Sequence, residues 1–182
     1  MPHPIESKKA PQHALICIAG PSNSGKSTLA GNLVKKYADY GANVTIFTPH
    51  PGMTEPTEVS GRTVTMHPSL YDGNVDLIAS LTPTHLEQFI IIDDLEWELG
   101  SESIQTISSI LGDSNTTIII TCNDIDSIPK SINPSSWAIM PGYPKTTLNK
   151  IHRRLPASVG AFSEFERTYL QSGQFEPYVV QE

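Results

Sequence analysis

Apolar and polar positions fall in blocks along this chain, and the period changes from block to block. Ala14–Ala19, Phe89–Ile92 and Thr116–Cys122 are buried-type runs of strand length. Runs of this kind suit central strands of a parallel sheet, where both faces are covered. The first is placed at about 13–19. Asn43–Thr48 is rich in β-branched residues and predicts another strand; Arg62–His67 predicts a short alternating one, and Trp137–Met140 the last. Ser27–Tyr40 reads as a helix stopped at Gly41. Ile104, Ile107, Ile110 and Leu111 are spaced as one helical face, with Ser101 or Ser103 as its cap. Further helical segments are expected in 69–81 after Gly73, and at 145–154 and 163–171. Strands alternating with helices predict an α/β fold: a mostly parallel sheet of five or more strands with helices on both faces.

Size and composition narrow the picture. The chain has 182 residues, 38% hydrophobic, and suits one domain over 13–182 behind a flexible, proline-containing lead at 1–12. No apolar run reaches the roughly 18 residues a membrane span needs, and Met1–Lys9 lacks the apolar stretch of a signal peptide. A cytoplasmic location is expected. Cys17 and Cys122 read as small core residues in a reducing compartment. The net charge of −7 argues against a uniformly basic coat for nucleic acid. Its distribution is uneven: Ser127–Ser163 contains no Asp or Glu but holds Lys130, Lys145, Lys150, Arg153 and Arg154. That segment is either a local anion-binding face or a solvated helix surface.

Chemistry enters at Gly20–Ser27, G-P-S-N-S-G-K-S, which fits the phosphate-loop pattern G-x-x-x-x-G-K-[ST] with Thr28 following. A buried strand precedes it and a helix follows, the setting in which the motif is informative. Small residues let the backbone curl so that its N–H groups face a phosphate, and the helix N-terminus adds partial positive charge. Gly20, Pro21, Ser22, Asn23, Ser24, Gly25, Lys26, Ser27 and Thr28 are therefore the expected ATP-binding residues. Lys26 would reach the β- and γ-phosphates, and the Ser27 hydroxyl would ligate Mg²⁺. Phe89–Ile92 runs straight into Asp93-Asp94, an apolar strand ending in acid. Carboxylates at the carboxyl end of a parallel strand face the crevice where such folds bind ligands. Asp93 is expected on Mg²⁺ through water, and Asp94 as the base that deprotonates the attacking water. Glu96 falls beyond the strand end and is a weaker base.

Other residues complete the expectation. Asn123 ends a buried strand and would sense the γ-phosphate if that strand lay between the two motif strands; Thr121 is the second choice, and Asn123-Asp124 also reads as a turn or cap. Arg153, with Arg154 beside it, would supply a transition-state arginine across a subunit boundary, or else is a surface dyad. The loop Ile128–Pro134, with Lys130, would touch a nucleic-acid phosphate. His50 and His67 follow strands and would line the crevice, whereas His13 and His85 are bystanders. No metal-type Cys or His spacing occurs.

The set G-P-S-N-S-G-K-S-T-L, I-I-I-D-D, I-I-I-T-C-N and I-P-K-S-I-N-P-S-S-W-A-I-M, spread over about 15–150, resembles a family. It is similar to the small genome-packaging ATPases of double-stranded DNA viruses, which belong to the FtsK/HerA branch of P-loop ATPases. Two positions depart from that family's pattern: Asn123, where Gln, Ser or Thr is common, and Asn133, where an arginine is frequent. The resemblance implies a P-loop NTPase fold with an additional strand between the two motif strands. It implies Lys26 and Ser27 on phosphate and Mg²⁺, Asp93 on Mg²⁺ and Asp94 as base. It also implies a homo-oligomeric ring with double-stranded DNA in its channel, capsid vertex or portal proteins as partners, and a host-cytoplasmic or virion-associated location.

Three functions compete. A motor would hydrolyse ATP to drive DNA of any sequence into a capsid. A small-molecule kinase would use the same phosphate loop, with Arg153-Arg154 on a lid. A nucleotide-dependent switch would hydrolyse slowly and act through partners. Sheet order separates the first two: the kinase class has its motif strands adjacent, and the motor class has a strand between them.

Overall fold

A computed structural model describes residues 14–38, 43–48, 64–67, 88–95, 101–113, 115–173 and 176–181. The chain order is β1 (Leu15–Ala19), α1 (Lys26–Ala38), β2 (Asn43–Phe47), β3 (Val64–His67), β4 (Gln88–Leu95), α2 (Ser101–Asp113), β5 (Thr116–Cys122), β6 (Ser136–Ile139), α3 (Lys145–His152), α4 (Phe162–Gln171) and β7 (Tyr178–Gln181). The strands form one seven-stranded sheet in the order β3-β2-β4-β5-β1-β6-β7. All neighbours are parallel except β6 and β7. The α/β fold and its mostly parallel sheet are as expected, and β5 lies between β1 and β4.

The continuous apolar runs follow from coverage of both faces. Side chains alternate along a strand, so an unbroken run serves two cores. Leu15, Cys17, Ala19, Ile90, Ile92, Ile118 and Ile120 face one core with Ile107 and Ile110 of α2, Leu148 and Ile151 of α3, and Phe165 and Tyr169 of α4. Ile18, Phe89, Ile91 and Ile119 face the other, closed by Ala30 of α1 with Leu29 and Leu33 against it.

Three expectations change. Trp137–Met140 does not hold the last strand: β7 follows and adds antiparallel to β6, Trp137 opposite Val180. The helix expected at 145–154 ends at His152, with Arg153 as its cap. The basic tract is largely paired with acids outside it. Lys150 lies 2.6 Å from Asp126 and 3.2 Å from Asp124, and Lys145 lies 2.9 Å from Glu166. The Asp126 amide holds the Asp124 carboxyl below its ordinary range, with Lys150 adding to the effect. The 69–81 segment, Glu96, and His13, His50 and His85 lie outside the described residues.

Candidate nucleotide site at the carboxyl edge of the sheet

β1 ends at Ala19, and the phosphate loop crosses to α1, which starts at Lys26. Asn23 (φ 62°) and Gly25 (φ 92°) take left-handed backbone conformations, which give the loop its curl. Gly20 is required by space: a Cβ there would stand 2.4 Å from Ser24 Oγ and 2.6 Å from Met140 Cβ. The Ser24 hydroxyl is buried without a hydrogen-bond partner inside this loop. Thr28 is exposed in the first turn of α1.

Lys26 is buried, 6% exposed, an unusual state for a lysine. Its ammonium donates to the Pro21 carbonyl (3.0 Å) and to Asn123 Oδ1 (2.6 Å). Only the β1–β5 pairing makes the second bond possible, because it sets the end of β5 beside the phosphate loop.

Asp93 and Asp94 are adjacent in sequence but placed in different surroundings. Along β4 and β5, Ile92 pairs with Ile120 and Leu95 with Cys122, so two residues of β4 oppose Thr121 alone. This is a β-bulge, which re-aims side chains and sharpens the local twist. Asp94 carries the distortion with φ 56°, a conformation Asp tolerates better than most residues. Thr121 pins the bulge: its hydroxyl donates to Asp93 Oδ1 (2.7 Å) and accepts from the Asp94 amide (2.7 Å). Asp93, 1% exposed, also accepts from Ser27 Oγ (3.0 Å) and Thr48 Oγ1 (3.1 Å). Asp94 turns the other way and accepts from Asn123 Nδ2 (3.2 Å). Asn123 therefore joins Lys26 to Asp94 through the two ends of one carboxamide.

The donor set suits Mg²⁺. Ser27 Oγ and Asp93 Oδ1 are hard oxygens in contact, and Mg²⁺ commonly takes one or two protein oxygens with water and substrate phosphates completing its shell.

Of the expected residues, the structure gathers the phosphate loop, Lys26, Ser27, Asp93, Asp94 and Asn123 at one edge. It does not bring Arg153 there. α3 starts at the carboxyl edge and runs back along the sheet, and Arg154 at its far end donates to the Ile128 carbonyl (2.8 Å), ahead of β6. Exposed Arg153 is thus at the opposite edge from Lys26 of the same chain. Thr121 serves the two aspartates. Thr48 was missed, although its place one residue past an apolar strand is the signal that pointed to Asn123. Tyr143, whose hydroxyl donates to the Asn123 carbonyl (2.6 Å), was also missed, and the sequence around it reads as an ordinary turn.

No protein-family model matches the sequence, and no curated protein matches it. Solved structures do. The DNA-packaging ATPase B204 from Sulfolobus turreted icosahedral virus superposes with a TM-score of 0.65 at 11% identity, covering 93% of each chain. The genome-packaging NTPase B204 from Sulfolobus turreted icosahedral virus 2, solved with ATP-gammaS, gives 0.62 at 11% identity, covering 92% of this chain and 91% of that one. The same protein with sulfate gives 0.65 at 10% identity over the same shares. The chain has the fold of a P-loop NTPase, and its structural neighbours include viral genome-packaging ATPases.

Proposed function

We propose that this protein is an ATP-hydrolysing motor that moves double-stranded viral DNA into a capsid. The observation that carries the reading is the strand between the two motif strands. β5 separates β1 from β4 and delivers Asn123 to Lys26 and Asp94 in one place. A kinase of the competing class would have β1 and β4 adjacent. The likeness to the B204 ATPases over nearly the whole of both chains supports the same reading.

In this reading the curled loop from Gly20 to Ser27, with Thr28, binds the phosphates of ATP, and Lys26 neutralises charge on the transferred group. Ser27 directly and Asp93 through water would hold Mg²⁺, which would supply neutralisation of phosphate oxygens. Thr48 and Thr121 keep the buried Asp93 carboxylate oriented toward Ser27. Asp94 accepts the proton of the attacking water, and Asn123 fixes that water's position between Asp94 and the γ-phosphate. Arg153 can act as a transition-state arginine only on a neighbouring copy, so the reading includes a homo-oligomeric ring with DNA in its channel and capsid vertex proteins as partners. The chain works as one ATPase domain over 13–182 behind the lead at 1–12, in the host cytoplasm or on the virion. No helix among the described residues is long and apolar enough to cross a membrane.

The test is steady-state ATP hydrolysis with and without long double-stranded DNA, with Lys26→Ala as the blank. Stimulation by DNA of any sequence, weakening with salt, is the expected outcome. Turnover by assembled rings that ignores DNA would overturn the motor and favour phosphoryl transfer to a small acceptor.

A further inference from the structure

Asn123 stands one residue beyond the last registered pairs of β5, Ala19 with Cys122 and Leu95 with Cys122. Something other than the ladder must set the direction of its carboxamide. The Tyr143 hydroxyl meets the Asn123 carbonyl at 2.6 Å, from the loop after β6. Tyr143 is itself held: its amide donates to Tyr169 Oη (3.0 Å), and that hydroxyl donates to the Met140 carbonyl (2.8 Å). Met140 returns to the phosphate loop. Its amide donates to the Ala19 carbonyl (2.8 Å), and its side chain packs where a Cβ on Gly20 would go. Gly142 (φ 109°) makes the reversal and lies against Pro21. With Lys26 bonded to Asn123 and to the Pro21 carbonyl, the circuit closes: phosphate loop, Met140, Tyr169, Tyr143, Asn123, Lys26, phosphate loop.

We infer that Tyr143 is a positioning residue for hydrolysis: its hydroxyl fixes the Asn123 peptide and so aims the carboxamide that joins Lys26 to Asp94. The inference rests on the ATPase reading above. The physical ground is that reacting groups tolerate little displacement; about 1 Å can cost on the order of 100-fold in rate. Burial pushes the Tyr143 phenol far above its ordinary range, so the hydroxyl remains a donor at any working pH. The Asn123 carbonyl loses this hydrogen bond if the hydroxyl goes, and Tyr143, 9% exposed, keeps its ring packed in place.

Tyr143→Phe removes the one hydroxyl and keeps the ring. The expected result is a fall of about 10-fold in kcat, with nucleotide Kd changed by less than about two-fold. In an Asn123→Ala background the same change should cost nothing further, since there is no carboxamide to aim. Tyr169→Phe, which loosens Tyr143 from behind, should give a smaller fall of about three-fold. Tyr178→Phe is the control, because Tyr178 packs edge-on against Phe165 (5.1 Å) outside the circuit, and it should keep the wild-type rate. A wild-type rate in Tyr143→Phe overturns the inference, as does an equal fall in the Asn123→Ala background. Loss of turnover in Lys26→Ala alone, with Tyr143→Phe at full rate, keeps the ATPase reading and removes this one. A wild-type chain without turnover would instead remove the ATPase reading, and the Asn123 carboxamide ¹H–¹⁵N signals then decide the positioning. They should move in Tyr143→Phe and stay in Tyr178→Phe; signals unmoved in both overturn it.

Discussion

At the carboxyl edge of the sheet each charged side chain of the site is held: Lys26 by Asn123 and the Pro21 carbonyl, Asp93 by three hydroxyls, Asp94 by Asn123. At the amino edge, ahead of β6, a cavity of about 190 Å³ has an apolar floor of Ile132, Trp137 and Leu155 under Lys130 and Arg154. Arg154 is bonded to the Ile128 carbonyl, but Lys130 and Arg153 are exposed and have no ion pair among the described residues. The sheet thus carries a closed network at its carboxyl edge and a basic-rimmed cavity at the other. A closed network fixes geometry to fractions of an ångström, as bond-making chemistry requires. Exposed cations such as Lys130 and Arg153 suit a partner that must slide, because phosphate contacts need charge but little direction. The motor reading requires both edges to behave according to type.

The sharpest break in that comparison is at Lys26 and Asp93. Lys26→Ala and Asp93→Asn should each take ATP turnover to background, measured by phosphate release. Asp94→Asn should be less severe, a fall of about 100-fold in kcat with nucleotide binding retained, since it removes a proton acceptor and no phosphate contact. If Asp94→Asn matched the wild type, the base would be elsewhere and the division of labour across the bulge would fail. Gly20→Ala tests the packing beneath the loop. Its Cβ would meet Ser24 Oγ, which can rotate, and the Met140 Cβ, which is fixed to its backbone, so a loss of about 1–3 kcal/mol in urea unfolding is expected.

The amino edge should respond differently. Lys130→Glu should lower the ratio of DNA-stimulated to basal turnover several-fold, and reduce the slope of log affinity against log salt by about one. The change should be alike for every DNA sequence. A DNA response untouched by Lys130→Glu would remove the far edge from the comparison and direct the search for the channel lining to other surfaces.

How much of this was legible in the sequence divides along similar lines. The central strands could be read because covered faces force unbroken apolar runs, and the phosphate loop because its chemistry sits in eight consecutive residues. Asn123 could be picked out because it is the polar residue that closes a buried apolar strand, although the same Asn-Asp pair also reads as a turn or cap. The bulge was not readable: Asp93 and Asp94 part company only because Thr121, on another strand, opposes both. Tyr143 was hidden because the reversal after Met140 brings it to Asn123 from 20 residues away. β7 was hidden because four residues at the chain end, pairing antiparallel to an otherwise parallel sheet, carry little pattern. Arg153 was assigned by residue type, and its edge depends on the direction of α3, which a motif does not record.

The smallest effect concerns the floor of the network. Cys122 ends β5 directly before Asn123, and burial pushes its thiol from 9.0 up to about 12, with the Lys26 charge partly opposing. Burial raises Cys17 in the same direction. A raised thiol means that the folded chain keeps its proton where the unfolded chain has lost it. Folded protein then binds more protons between pH 9 and about 12, so stability is complete below about 9 and falls as pH rises through that window. Tyr143 adds to the fall above its ordinary value of 10.0, by the same sign. The unfolding free energy in urea should therefore be level from pH 7 to 8 and lower by roughly 1 kcal/mol near pH 9, falling further above it. Cys17→Ala with Cys122→Ala should flatten most of that decline while lowering the plateau through lost packing. A decline of unchanged slope in the double variant would mean that the alkaline loss does not come from the buried thiols, and the floor of the closed edge would then be the more pH-tolerant part.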